Sequence, residues 1–321
     1  MKRHAGLWAA IALVLAVAGW VGWRLVAHMR ARMNPGATLV LTVDASHPFV
    51  AGVAPAEARR RTLEVMRERL DKLAPLALFA ADGDRVTIQL ARSDDAAHVA
   101  RLLARSGRLE FKIVDDGSEY MKGLSGFVVA NHAELVDVEI GRDGWTERDS
   151  GAPHSDVYLR APARDKLAGA FRDAAATKPL PSDHIVAFER KPTSDGKYAW
   201  RSYYLFARNE VDGDRISDVE VSWDQQTGRP EVSLTFDADG AKAFEAATAR
   251  AVGKKLAIVL EGTVQSAPVI ESKIAGGRAR ITVGDSDPLA MQEEAKDLIA
   301  VLKVGSLAAP VTLVATRAPK P

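Results

Sequence analysis

Hydrophobic and polar positions follow three regimes along this chain. The first is continuous. From Gly6 to Trp23 the sequence reads GLWAAIALVLAVAGWVGW, 18 residues without a charge. At about 1.5 Å per residue, such a run covers most of a roughly 30 Å hydrocarbon layer, which predicts one transmembrane helix over about 6–27. Trp8 and Trp23 stand near its ends, where indole rings favour the membrane–water boundary. Arg24 can extend its guanidinium to the head groups. The run is longer than the apolar core of a cleavable leader, so an uncleaved anchor is expected within residues 1–33. Lys2 and Arg3 before it and Arg24, Arg30 and Arg32 after it leave its orientation nearly tied.

The second regime alternates long strand-like and helix-like patterns. ATLVLTVDA (37–45) places Leu39, Leu41 and Val43 on one face. Pro55 suits a first helical turn, and Leu63, Met66, Leu70 and Leu73 recur at helical spacing. LALFAA (76–81), the Asp82–Asp84 turn and RVTIQLA (85–91) read as a hairpin. A helix fits 94–105, with Val99, Leu102 and Leu103 on its face, and RLEFKIV (108–114) follows as a strand. The order βαββαβ over 36–116 predicts a ferredoxin-like base unit, so the fold class expected is α+β.

The third regime is strand-rich and punctuated by Gly, Asp, Ser and Pro. Over 117–229 the pieces GFVVA (126–130), LVDVEI (135–140), SDVYLRA (155–161) and WRSYYLFA (200–207) suggest strands, with one helix near 162–176. This reads as an inserted mixed head lobe, with hinges expected near Asp115–Gly117 and Thr227–Pro230. Longer patterns return over 230–317. EVSLTFD is a strand, Asp237 or Asp239 can cap the helix that ends at Gly253, and MQEEAKDLIAVLKVG is a second helix. Between them lies GKKLAIVLEGTVQSAPVIE (253–271). Its Leu256–Leu260 run is apolar enough for burial on both faces. Glu261-Gly262 turns the chain. Pro268 cannot donate to a ladder, so the returning strand should be an edge there or carry a bulge.

Composition removes several kinds of chemistry. The 321 residues hold 43 Lys and Arg against 42 Asp and Glu, a balance of +1 that argues against a general nucleic-acid binder. Arg59–Arg61 reads as a solvated helix face paired with Glu57. No cysteine is present, which excludes disulfides, thiolate metal sites and cysteine nucleophiles. The seven histidines, at 4, 28, 47, 98, 132, 154 and 184, show no metal-binding spacing. GLSG (123–126) lacks the last glycine of a nucleophile elbow, Gly253-Lys254-Lys255 lacks the rest of a phosphate loop, and Asp212, Asp214 and Asp218 lack calcium-loop order. No catalytic residue, metal ligand or cofactor site is assigned.

VSLTFDADGAKAF, VGKKLAIVLEG, SAPVI (Ser266–Ile270), GGRARI and LKVGSLAAPVTL, in this order, closely resemble the large first periplasmic domain of the SecD family. TLEVMRERLDKLAP (62–75), RVTIQL and RSGRLEFKIVDD (105–116) are similar to that family as well. The resemblance implies a membrane-attached subunit of bacterial preprotein translocation, with its bulk on the periplasmic side of the inner membrane. It implies contact with emerging polypeptide or with translocon components. Two departures accompany it. The family's Gly-Gly pair near the first strand is absent, and the chain stops at Ala318-Pro319-Lys320-Pro321 where SecD continues into membrane helices. The expectation is a single-pass, non-catalytic polypeptide-binding module, leaving room for a separate membrane subunit. A structural or assembly role in the cell envelope is the alternative, and a periplasmic hydrolase is the least favoured. Val264, Gln265, Ser266, Ala267, Pro268, Val269 and Ile270 are the candidate contact residues, because an edge strand can accept an extended chain by strand addition. Pro268 also has a simpler role, protecting an edge from aggregation.

Overall fold

The computed structural model describes residues 35–50, 52–131, 138–193, 197–224, 230–282 and 288–319. The elements begin with β1 (Pro35–Val43), α1 (Pro55–Leu73), β2 (Leu78–Asp82), β3 (Arg85–Ala91), α2 (Ala96–Ala104) and β4 (Leu109–Ile113). Next come α3 (Glu119–Asn131), β5 (Glu139–Thr146), β6 (Pro153–Ala161), α4 (Arg164–Thr177), β7 (His184–Pro192), β8 (Tyr198–Phe206), β9 (Val211–Asp212) and β10 (Ile216–Trp223). The last are β11 (Pro230–Phe236), α5 (Ala238–Arg250), β12 (Leu256–Leu260), β13 (Thr263–Ser266), β14 (Arg278–Thr282), α6 (Pro288–Leu302) and β15 (Val311–Arg317). The fold is mixed α+β with several sheets. It divides into two units, one ending at Ser106 and resuming at Leu307, the other running from Gly107 to Ser306.

The first unit is an antiparallel sheet of order β15-β1-β3-β2. Alternation puts Leu39, Leu41 and Val43 beside Val86, Ile88 and Leu90, and Ala58, Met66 and Leu70 of α1 with Val99 and Leu103 of α2 close the core. The α1 arginines behave as a solvated face: Arg60 and Arg61 both donate to Glu57, and Arg59 pairs with Asp84. Arg69 differs. It is 1% exposed and donates to the carbonyls of Leu102 and Arg105, satisfying acceptors at the end of α2.

One expected element sits elsewhere. Residues 108–114 do form a strand, but β4 pairs antiparallel with β12 in the second unit, from Leu109↔Leu260 to Ile113↔Leu256. The position beside β1 is taken by β15. Side-chain partners explain the exchange. Phe111 meets Phe236 and Phe244 edge-on at 5.2 and 5.7 Å, rings that only the second unit supplies. Leu307, Ala309 and Val311 instead complete the first core. The crossings between units therefore fall at 106/107 and 306/307.

The second unit holds a three-stranded sheet, β10-β11-β14, and an eight-stranded sheet of order β5-β6-β8-β7-β13-β12-β4-β9. The Val114↔Leu205 bridge and the Asp115 amide donating to Tyr204 bring the end of β4 back onto β8. Strands β4, β12, β13, β7 and β8 thus close a ring. Its interior holds Val114, Ala187, Tyr203, Leu205, Ala257, Val259 and Val264. Leu256, Ile258 and Leu260 point the other way, into the main core with Phe111, Phe236 and Phe244. The LAIVL run is therefore buried on both faces. Asp237 caps α5, its carboxylate accepting from the Gly240 amide at 2.7 Å.

GFVVA, expected as a strand, is helical and forms part of α3. Met121, Leu124 and Val128 share a helical face that packs on α4 and on Leu159, Phe188 and Tyr204, and this burial overrides local β preference. Among the described residues no helix is long and apolar enough to cross a membrane. The anchor expected over 6–27 lies outside the described residues, as do 227–229 of the second expected hinge.

Candidate functional site

The segment after β12 makes a tight hairpin. Glu261 and Gly262 have positive φ, 52° and 75°. The Glu261 carboxylate accepts the Gly107 amide at 2.9 Å, which holds a side-chain-bearing residue in that region. The returning strand then touches two neighbours. Thr263 and Val264 pair parallel with Phe188 and Glu189 of β7 and antiparallel with Leu260 and Val259. The register to β12 slips past Val264, leaving Gln265 as an extra residue in a bulge.

Beyond the bulge only the β12 side continues. The Leu256 amide donates to the Pro268 carbonyl, Ile270 donates to Lys254, and Gly253 donates to Ile270, each at 2.9 Å. Lys255↔Val269 is the bridge between these bonds. Strand alternation turns the amides of Ala267 and Val269 to the opposite side, where no backbone group among the described residues meets them. Of the seven predicted contact residues, Val264 points into the ring and Ile270 into the main core, 2% and 3% exposed. Pro268 is exposed, and Gln265, Ser266, Ala267 and Val269 are half-buried. The accessible part is therefore 265–269.

A groove of about 370 Å³ runs alongside, with Val269, Ile270, Glu271 and Gly253 on one wall and Trp145, Thr146, Glu147 and Arg148 on the other. The Trp145 indole donates to the Gly253 carbonyl at 2.8 Å and stacks on His154. Arg148 and Glu271 form an ion pair at 3.3 Å. Gly253 has φ +84°, and a Cβ there would lie 2.8 Å from His154 Nε2, so this approach requires glycine.

Behind the groove lies a buried ionic network. Lys255 Nζ is 3.1 Å from Asp143 and 3.0 Å from Asp156, and Arg201 contacts the same two carboxylates at 2.5 and 2.7 Å. The Arg201 guanidinium lies over Tyr158 and Tyr203, and Lys255 lies over Trp145. Burial opposes the charge on Asp143, but Arg201 and Lys255 outweigh it and hold its carboxyl below the usual range. Asp116 is the reverse case. Burial pushes its carboxyl up to about 7, against the Lys255 amide that bonds it, with the Asp156 charge adding to the rise. These five residues are scattered over 140 positions of sequence and carry no spacing signal.

Among the described residues the motif fragments noted in the sequence lie apart from one another. Ser125 is buried inside α3. Asp212, Asp214 and Asp218 go separately to Asn209, Ser306 and Lys303. His184 stacks on Tyr204 and meets Phe206 at a tilt. Among the described residues no group of three or more potential ligands is placed to hold a metal. A second, apolar groove of about 410 Å³ lies between α3, α4 and β7, lined by Leu124, Phe171, Leu180, Ile185 and Phe188.

The family profile of the SecDF P1 head subdomain matches residues 188–309, which include β13, the edge and Lys255. A protein translocase subunit SecD from Endomicrobium trichonymphae is 29% identical, covering 89% of this chain and 52% of the relative. One from Syntrophobacter fumaroxidans is 31% identical over 79% of this chain and 38% of its own length. The chain thus spans about half the length, or less, of these relatives. A solved structure described as a membrane component SecDF that enhances protein export superposes with TM-score 0.52 at 26% identity, covering 88% of this chain and all of that one. Head-subdomain match, relatives and fold agree that this chain holds a periplasmic domain of the SecD family.

Proposed function

We propose that this chain is a non-catalytic module of protein export that binds extended polypeptide along the strand edge at 265–269. The observation that carries this is the pair of outward amides at Ala267 and Val269 beside the open groove. An extended chain laid there would gain main-chain hydrogen bonds independent of its sequence, while the groove takes alternate side chains. The apolar groove against α3 and α4 suits a further apolar segment of the same chain. The relatives' description as translocase subunits supports translocon components as partners. We further infer attachment to the bacterial inner membrane through the single apolar run at 6–27, with the bulk in the periplasm. The order β15-β1-β3-β2 with α1 and α2 supports a ferredoxin-like base in which β15 replaces the expected sixth element.

The test is binding of a permanently unfolded, fluorescently labelled polypeptide to the full chain and to Val269→Pro. The substitution removes an outward donor but no bond to the 254–256 segment. A single net hydrogen bond of about 0.5–1.5 kcal/mol predicts a two- to tenfold weaker complex. Unchanged affinity contradicts strand addition at this edge. An envelope assembly role without polypeptide binding is the second reading, favoured if the wild-type chain binds no unfolded polypeptide yet recovers envelope partners.

A further inference from the structure

Strand addition at the edge gives no role to the buried charges behind it. Lys255 and Arg201 supply two positive charges, Asp143 and Asp156 two negative ones, all within 3.1 Å of a partner. Asp116 is a third carboxylate in the same place. Its Oδ2 accepts the Lys255 amide at 2.8 Å, and its Oδ1 is buried with no hydrogen-bond partner among the described residues. A balanced cluster leaves an ionised Asp116 uncompensated, and an uncompensated buried charge is costly. The charged groups that act on it come from separate elements. They are Asp156 on β6 and Lys254 and Lys255 before β12, with Asp143 on β5 and Arg201 on β8 joined to them by ion pairs, and Asp115 is next in sequence.

The same residues fix the groove wall. Asp143 and Trp145 belong to β5, whose only strand partner among the described residues is β6, at the end of the sheet. What draws this hairpin onto residues 253–255 is the Lys255 ion pairs, the Trp145 face over Lys255 Nζ at 4.4 Å and the Trp145–Gly253 hydrogen bond. The Arg148–Glu271 pair spans the mouth and is solvent-exposed on both sides, so it adds little. The hold is therefore the buried network.

We propose that this network is a proton-controlled latch on the groove. With Asp116 protonated, the cluster is neutral and clamps the β5–β6 hairpin against 253–255. With Asp116 ionised, the excess negative charge releases the hairpin and widens the groove beside Ala267–Val269 for an extended polypeptide. This regulation rests on the polypeptide reading of the groove. The burial-driven rise of Asp116 to about 7 puts the change near neutral pH.

Hydrogen exchange of the full chain tests it, read at the Lys255 amide and across 139–156 and corrected for the intrinsic pH dependence of exchange. If Asp116 regains an ordinary carboxylate affinity for protons when the hairpin opens, the opening constant rises about tenfold between pH 6 and pH 8. Asp116→Asn keeps the acceptor for Lys255 and stays neutral, so its opening should remain low and flat. Exchange in β1 and β3 should be unchanged, which verifies folding. A flat wild-type profile overturns the latch, and so does a tenfold rise that persists in Asp116→Asn, because His154 or another group would then carry it. A labelled unfolded polypeptide added at both pH values separates the two ideas. Opening that follows Asp116 without any polypeptide bound supports the latch and overturns the polypeptide reading. Polypeptide bound equally at both pH values with flat opening overturns the latch alone.

Discussion

Asp116 is half-buried and Arg69 fully buried, and their surroundings set opposite outcomes. Asp116 binds its proton more tightly in the folded protein, at about 7, than the ordinary carboxylate at 3.8. The folded state therefore holds more protons between those values. Its contribution to stability is complete below about pH 4 and is lost as pH rises through about 7. At about 1.4 kcal/mol per unit, urea unfolding should show the wild type losing about 2 kcal/mol relative to Asp116→Asn between pH 5 and pH 7. Equal pH dependence of the two proteins contradicts this. Arg69 instead keeps its charge, its guanidinium bonded to the carbonyls that end α2. Arg69→Met should cost about 2–4 kcal/mol, since charge-assisted bonds are lost and buried carbonyls are left bare. A loss under 1 kcal/mol in thermal unfolding would show that the carbonyls find other partners. Neither role could be read from sequence. Asp116 depends on residues at 143, 156, 201 and 255, and Arg69 sits in a row of arginines whose exposed members look the same.

At the scale of elements, the sequence was informative wherever burial is periodic and local. Leu39, Leu41 and Val43 alternate into one core as expected, and the LAIVL run is buried on both faces. A bulge is present at Gln265, one step from the strand's parallel contact with β7 and three residues before Pro268, where an edge or bulge was expected. Partner choice was not legible. RLEFKIV announces a strand, but nothing in its own residues says whether β1 or β12 will pair with it. The aromatic cluster of Phe111, Phe236 and Phe244 decides, and it joins positions more than 120 residues apart. GFVVA shows the same limit, since its helical face exists only once α4 and β7 are beside it. Phe111→Ala should therefore destabilise the second unit by about 3–5 kcal/mol. Amide exchange should accelerate across β4, β11 and β12 and remain unchanged in β1 and β3. Equal acceleration in the first unit would contradict the assignment of β4.

For the whole molecule, two units with separate cores carry different kinds of feature. The first is a four-stranded antiparallel sheet covered by two helices, with no groove lined by unpaired backbone described in it. The second carries the strand edge, both grooves and the ionic network, and nearly all of the matched head subdomain lies within it. The proposed role is recognition, and it rests on the strand edge at 265–269. Recognition of an unfolded chain has to work on backbone, which every client shares, and an unpaired strand edge supplies that. The most direct test places a photoreactive side chain at Ala267, at Val269 and, as a control, at Val314, which is exposed in β15 of the first unit. Each full-length chain is irradiated beside a polypeptide arrested during export. Adducts at 267 and 269 several-fold above the control are the predicted result. Adducts no more frequent there than at Val314, with the arrested polypeptide present, would contradict polypeptide binding at this edge.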